Sequence, residues 1–384
     1  MTGIYVHVPF CERKCLYCDF YSIVVSDREQ FCAVVDNYLS AVQKEAQYYK
    51  EQVRDCTFET IFIGGGTPTL LPPDRLGGLI VFLRSCFSFV QEPEITVEAN
   101  PNTLTHEMLT TIKEAGVNRI SLGAQAFQDR LLAELGRTHG AADIAESVEM
   151  IQACGIENFN LDLIYGLPNQ SPAHWEESLR EAVNLQPTHL SCYSLIVEEG
   201  TPFFRLQEQG LLNAADDDLQ ARMYDMTRRI LVESGYCHYE ISNFCRPYYE
   251  ARHNLLYWLN EPFLGLGSGA TGYLNRVRYT NVPSIEKYID GWSRGEPHYS
   301  SFHKASVDQE MDETMMVGMR LLAGVSDADF RNRFGSGLME VYGPQIQELL
   351  KRGLVEFKDG VLSVTERGLY LENLVSGAFL READ

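Results

Sequence analysis

Short apolar runs alternate with stretches of helical period through the first half of the chain. The strand-like runs are Ile4–Val8, Thr60–Ile63, Glu94–Glu98, Arg119–Gly123, Asn158–Leu163 and His189–Ser194. Between them, the periodicity predicts helices over Phe31–Lys50, Leu76–Phe87, Thr105–Ala115, Asp143–Ala153 and Trp175–Asn184. One strand and one helix recur every roughly 25–50 residues, the spacing of βα repeats that lay their strands parallel. Six such units predict an α/β fold with fewer units than a closed eight-unit barrel, and both an open sheet and a partial barrel fit.

Polar and glycine-rich features gather at the C-terminal ends of these strands. A cysteine run follows the first, Gly64-Gly65-Gly66-Thr67-Pro68 the second, and Glu98-Ala99-Asn100-Pro101 the third. Gly123-Ala124-Gln125 closes the fourth, and Asp162 with Tyr165-Gly166-Leu167-Pro168 closes the fifth. Barrel and open α/β enzymes build their sites at that edge.

The rhythm changes near residue 225, dividing the chain into 1–225, a connecting segment over 226–305 and a third region over 306–384. The third region predicts helices over Asp312–Leu322, Asp327–Phe334 and Val341–Arg352. Two short strands follow, Val355–Lys358 and Val361–Val364, around the hairpin pair Asp359-Gly360, and then a last helix capped by Thr365. This is a winged-helix-like α+β arrangement.

Charge decides how that module is read. The formal net charge is −21, which repels phosphate backbones, so no nucleic acid is expected as a partner and a packing or docking role is favoured. A DNA-binding regulator is the reading this argues against. No run of about 18 uninterrupted apolar residues predicts a membrane span, and the N-terminus shows no export signal. The ten cysteines are therefore expected in a reducing, cytoplasmic compartment.

Cys11, Cys15 and Cys18 form a CxxxCxxC run directly after the first strand, with Tyr5, Phe10, Tyr17 and Phe20 around it. A closed structural zinc site or a fully ligated iron–sulfur cluster takes four protein ligands. Three thiolates within eight residues predict a 4Fe-4S cluster with one iron open to another ligand. Zinc with a distant fourth ligand is the alternative.

CxxxCxxC after the first strand, followed by Gly64-Gly65-Gly66-Thr67-Pro68-Thr69, resembles the radical S-adenosylmethionine (SAM) superfamily. Tyr5-Val6-His7-Val8-Pro9-Phe10-Cys11 narrows the resemblance to the coproporphyrinogen dehydrogenase-like branch, which also contains heme chaperones. It spans nearly the whole chain. It implies a partial (β/α)6 TIM-like barrel with a C-terminal winged-helix-like α+β module. It also implies a cluster on Cys11, Cys15 and Cys18 with SAM on the open iron. Tyr5 and Tyr17 are expected to line that pocket, and Gly65, Gly66 and Thr67 to contact SAM through the turn. Glu98 is expected to hold a cationic or hydroxyl part of the ligand, with Gln125, Arg137 and Asp162 at further SAM-contacting positions. By the bland reading, the glycines are a tight turn, Glu98 and Asp162 are helix caps, and Arg137 is a solvated face.

His253-Asn254-Leu255-Leu256-Tyr257-Trp258 matches the HNxxYW motif of the heme chaperones. A neutral imidazole suits heme iron, so the resemblance implies His253 as heme ligand, with Tyr257 and Trp258 packing on the porphyrin. A lone histidine is otherwise most often a hydrogen-bonded structural residue. The chain departs from the dehydrogenases in two ways. They carry CxxxCxxCxC, where this chain has Asp19-Phe20, and a long arm ahead of the motif, where this chain has four residues before Tyr5. The expectation is a heme chaperone passing heme to acceptor hemoproteins, respiratory and membrane-associated ones among them, and a homodimer is compatible. The alternative is an oxygen-independent coproporphyrinogen III dehydrogenase using the same radical SAM apparatus.

Overall fold

The computed structural model describes residues 2–25 and 28–381. Its main sheet has twelve strands. The first six are β1 (Gly3–Val8), β2 (Thr57–Gly65), β3 (Ser88–Ala99), β4 (Arg119–Gln125), β5 (Asn158–Tyr165) and β6 (His189–Ser194). Each pairs in parallel with the next, as the alternating pattern predicts. Along them run α1 (Arg28–Lys50), α2 (Pro73–Cys86), α3 (His106–Ala115), α4 (Ala141–Ala153) and α5 (Pro172–Asn184). Local chemistry sets the helix ends. Thr105 accepts from the Met108 N–H at the start of α3, and Gly116 stops it in the left-handed region (φ 111°). Ser171 and His174 form a capping box on α5, with Pro172 in its first turn.

The sheet does not end with six strands. After α6 (Asp217–Glu233), β7 (Cys237–Glu240) and β8 (Asn243–Cys245) extend the β6 edge in antiparallel fashion. The chain then crosses to the other edge. There β9 (Phe263–Leu266) pairs in parallel with β1, and β10 (Thr271–Leu274), β11 (Val277–Asn281) and β12 (Tyr299–Lys304) continue outward. The segment predicted as a connection thus supplies half the strands, and β9 is a seventh parallel one. Its four residues, Phe-Leu-Gly-Leu, are too short a run to separate from a loop by pattern alone.

Alternation along each strand separates two environments. Ile4, Val6, Ile61, Ile63, Val97, Ile120, Leu122, Leu161 and Leu190 are fully buried in the main apolar core with the helices. At about 1.5–3 kcal/mol for each such side chain, this layer carries much of the barrel's stability. The other face lines the lumen, and there Thr60, Glu94, Thr96, Glu98, Arg119, Ser121, Asn160, Asp162, His189 and Ser191 stand where closed barrels place branched aliphatics. Asn160 donates to Ser121 Oγ (2.8 Å) and Asp162 Oδ1 (2.8 Å), and shares a 2.7 Å bond with His189 Nδ1.

Helix α7 (Arg252–Trp258) lies at the N-terminal end of the barrel. Its first residues lack a local cap. Glu94 of β3 caps them from across the fold, accepting from the Arg252 N–H (3.1 Å) and the His253 N–H (3.0 Å). On the outside, α8 (Ile285–Arg294) packs on α1, where the buried carboxylate of Glu45 accepts from the Gly267 N–H (2.8 Å), Asn281 Nδ2 (2.7 Å) and the Tyr288 hydroxyl.

The C-terminal module has its own core, including Met315, Phe330, Leu338, Tyr342, Ile346 and Phe379. It comprises α9 (Val307–Gly318), β13 (Val325–Ser326), α10 (Asp327–Phe334), α11 (Leu338–Lys351), β14 (Val355–Lys358) and β15 (Val361–Val364). The first helix begins earlier than its apolar pattern suggests because Ser306 and Gln309 form a capping box. Asp359 (φ 52°) and Gly360 (φ 79°) make the expected hairpin turn, and Thr365 accepts from the Gly368 N–H. The module grips the end of α7: Arg333 donates to the carbonyls of Leu259 (3.1 Å) and Asn260 (2.7 Å), and Arg320 lies 4.6 Å over the Trp258 ring.

Candidate functional site

The strand-end residues converge at the C-terminal rim of the barrel. The loop holding Cys11, Cys15 and Cys18 leaves β1, and all three cysteines are free and partly exposed. The glycine turn packs directly beneath it. Gly66 donates to the Val8 carbonyl (2.8 Å) and Thr67 to the Phe10 carbonyl (2.7 Å). A Cβ on Gly66 would lie 2.6 Å from the Phe10 carbonyl oxygen, so only glycine fits there. Gly65 has φ 108° and donates to Glu98 Oε2 (3.0 Å).

A chain of hydrogen bonds ties the turn to the cysteine loop. Thr67 Oγ1 faces Cys11 Sγ at 3.9 Å and accepts from Asn100 Nδ2 (2.9 Å). Arg137 donates to Asn100 Oδ1 (2.6 Å), to the Gly123 carbonyl (2.7 Å) and, through Nη1, to Cys15 Sγ (3.5 Å). Arg137 is thus part of the rim, not a solvated face. Asn100 is the residue that sequence reasoning passed over. Its only signal was its place, before Pro101 at a strand end.

The electrostatics are those of a dry rim. Burial pushes the Cys18 thiol up to about 11 and raises Cys11 as well. Tyr17 is raised first by burial and then by the Cys15 charge. Burial lifts the Glu98 carboxyl to about 7, with the nearby Asp162 charge adding to it. Asp162 is raised by burial against hydrogen bonds from Asn160, Ser121 and Ser191. Neither carboxyl caps a helix; both face the lumen. Gln125 has left-handed backbone (φ 67°) at the end of β4 and is nearly buried. Tyr5 donates its hydroxyl to His7 Nδ1 (2.8 Å), and His7 Nε2 donates to the Tyr21 carbonyl (2.8 Å).

His253 lies apart from this rim. It sits at the opposite end of the lumen, 0% exposed, with its ring 5.3 Å from Phe62. Both ring nitrogens have partners: Nδ1 with Thr60 Oγ1 (2.6 Å) and Nε2 with the Tyr257 hydroxyl (2.9 Å). Burial lowers its pKa to about 3 and keeps the ring neutral. Both nitrogens are engaged because α7 carries the ring into the polar lumen. Tyr257 and Trp258 are both partly exposed, with Arg320 lying over the Trp258 ring.

Comparison with known proteins places this arrangement. The radical SAM superfamily profile matches residues 5–182, and the HemN C-terminal domain profile matches residues 305–371. The chain is 38% identical to heme chaperone HemW of Bacillus subtilis over 383 residues, with 100% of both chains covered. It is 36% identical to heme chaperone HemW of Lactococcus lactis over 382 residues, covering 99% of this chain and 97% of that one. The chain belongs to the HemW family within the radical SAM superfamily. The structure of coproporphyrinogen III oxidase HemN from Escherichia coli, a radical SAM enzyme, shares the fold. Its TM-score is 0.85 at 21% identity, covering 98% of this chain and 89% of that one.

Membership in the superfamily implies a 4Fe-4S cluster and SAM. The rim suits both. It offers three thiols on one loop, two of them facing Arg137 and Thr67 donors, and a glycine turn with backbone free for close approach. Among the described residues, no group of three or more His, Cys, Asp or Glu is arranged to hold a metal ion; Cys11, Cys15 and Cys18 would hold the cluster as thiolates. No helix among the described residues is long and apolar enough to cross a membrane.

Proposed function

We propose that this protein binds heme through the HNxxYW segment and passes it to acceptor hemoproteins, with a cluster on Cys11, Cys15 and Cys18 and SAM at the glycine turn. The observation that carries the reading is full-length likeness to proteins named heme chaperones, with 100% of both chains covered in one case. Phe20, at the fourth-cysteine position of the dehydrogenase pattern, supports it. When bound, the cluster supplies an electron and an open iron site. The chain's own residues hold and enclose the ligands. Tyr5 and Tyr17 exclude water, Gly65, Gly66 and Thr67 admit SAM, and Glu98, Gln125, Arg137 and Asp162 complete the rim.

His253 is the anchor of the heme segment. It fixes α7 in the lumen through Thr60 and carries Tyr257 on its other nitrogen. Direct ligation of iron by His253 requires one of those bonds to open, that to Tyr257 for Nε2, while the other nitrogen keeps its partner. Ten free cysteines support work in a reducing cytoplasm. Respiratory hemoproteins are the acceptors proposed. Anaerobic reconstitution followed by heme titration and transfer to an apo-hemoprotein tests this. Stoichiometric heme binding with transfer is expected. Sustained formation of protoporphyrinogen from coproporphyrinogen, without heme binding, would replace the reading with the dehydrogenase.

A further inference from the structure

A cavity of about 260 Å³ opens on the lumen-facing side of the β1–β9 edge, between the cysteine loop and α7, walled by Tyr5, His7, Phe20, Tyr21, Tyr257 and Phe263. Six of its eight lining residues carry aromatic rings, with Gly269 and Thr271 completing the wall. The polar atoms in that lining are already engaged. Tyr5 and His7 bond each other, His7 also bonds the Tyr21 carbonyl, and the Tyr21 hydroxyl accepts from the Ile285 N–H (3.0 Å). The wall therefore offers ring faces and edges, and few free hydrogen-bonding groups. A flat apolar ligand matches that offer better than a sugar, a phosphate or a peptide backbone, each of which needs polar partners.

Phe20 is 60% exposed, a large apolar side chain left in water beside Cys18. Tyr257 is the residue of the HNxxYW segment that reaches this wall. Its hydroxyl is held by His253 and its ring meets the edge of Phe263 at 4.8 Å. The cavity joins the cysteine loop to the heme motif, two features that the fold otherwise separates by the length of the lumen. Pockets that enclose a drug-sized ligand run to about 300–1,000 Å³, so this one takes an edge of a macrocycle and leaves the rest exposed. Partial cover suits a protein that must give its ligand away.

Resting on the heme-chaperone reading, we infer that one edge of the porphyrin seats in this cavity against Phe20, Tyr21 and Tyr257. His253 is then a positioning residue that acts on the porphyrin through Tyr257.

Two probes test it on the full chain with its cluster: ferric heme and metal-free protoporphyrin IX, titrated by absorbance and fluorescence. Ring contacts bind both, whereas an iron ligand serves only heme. Phe20→Ala, at an exposed position where folding is undisturbed, is expected to weaken both probes about tenfold, equivalent to about 1.4 kcal/mol. Tyr257→Phe keeps the ring and is expected to stay within about threefold, while Tyr257→Ala loses about tenfold for both probes. His253→Ala is expected to weaken both probes alike, and His253→Gln, which keeps a polar partner for Tyr257, to recover most of the loss. Wild-type protein that binds both probes with Phe20→Ala and Tyr257→Ala unchanged would overturn the seat alone. Binding of heme without any binding of protoporphyrin would do the same. Wild-type protein that binds neither probe would overturn the heme reading itself.

Discussion

Replacing Thr60 by valine exchanges the hydroxyl that holds His253 for a methyl group. The Oγ1 to Nδ1 separation is 2.6 Å, whereas uncharged heavy atoms without a hydrogen bond settle at about 3.5–4.0 Å. The imidazole must retreat by roughly 1 Å. Little room exists for that movement, because the ring is stacked on Phe62 and tied to Tyr257 on its far side. Gly3 marks how closely α7 packs here: a Cβ on it would meet Leu256 at 2.4 Å and His253 Nδ1 at 2.9 Å. The buried nitrogen left without a partner costs about 1–3 kcal/mol, and overpacking at the new methyl a further ~1–3 kcal/mol. Thr60→Ser keeps the hydroxyl and loses one methyl, for about 0.5–1.5 kcal/mol. Equilibrium urea unfolding, followed by tryptophan fluorescence, is expected to rank wild type above Thr60→Ser and Thr60→Ser well above Thr60→Val. Equal midpoints for the two variants would refute the claim that the Thr60–His253 bond anchors α7.

Other consequences are equally open to measurement. Burial lifts the Glu45 carboxyl from an ordinary 4.5 to about 7, so the fold favours its protonated form. That stability is fully present below about pH 4.5 and lost as pH rises through about 7, by up to about 3 kcal/mol. Urea midpoints should fall between pH 5 and 8 and flatten in Glu45→Gln; an equal slope in the variant would exclude Glu45 as the source. Gly66→Ala drives a Cβ to within 2.6 Å of the Phe10 carbonyl oxygen, and SAM retention in equilibrium dialysis should drop at least tenfold, by about 1.4 kcal/mol; unchanged retention counts against the turn as the SAM contact. Arg333→Ala removes the bonds to the Leu259 and Asn260 carbonyls, about 1–3 kcal/mol of module docking. Limited proteolysis should then cleave the junction faster, and a wild-type rate would show that the grip lies elsewhere.

The rim was legible in the sequence because each of its parts follows a strand. Short-range pattern fixes where β1 to β5 end, and parallel pairing brings those ends together. The polar lumen was also written there, as Asn160 with Asp162, Arg119 with Ser121 and His189 with Ser191 at alternate positions, but the strands read simply as strands. What stayed hidden depends on contacts between distant residues. Nothing near Arg252 announces that Glu94, 159 residues away from His253, caps its helix. The same contact holds the first turn of the HNxxYW helix against the lumen. Tyr257 could be named as a porphyrin-packing residue, but its wall is completed by Phe20 and Phe263, which no local period connects.

The pairing of β1 with β9 has a consequence during synthesis. Gly3–Val8 sits at the centre of the sheet, yet one of its edges is completed by Phe263–Leu266. A ribosome adding about 5–20 residues per second needs roughly 10–50 s to make the chain between them. Throughout that interval the first strand has at most one neighbour, and an apolar edge is open to pairing with other nascent chains. Assembly of the barrel therefore waits on the segment that carries the heme motif. A polypeptide truncated before that segment should be aggregation-prone, even though it contains every residue of the cysteine loop and the glycine turn.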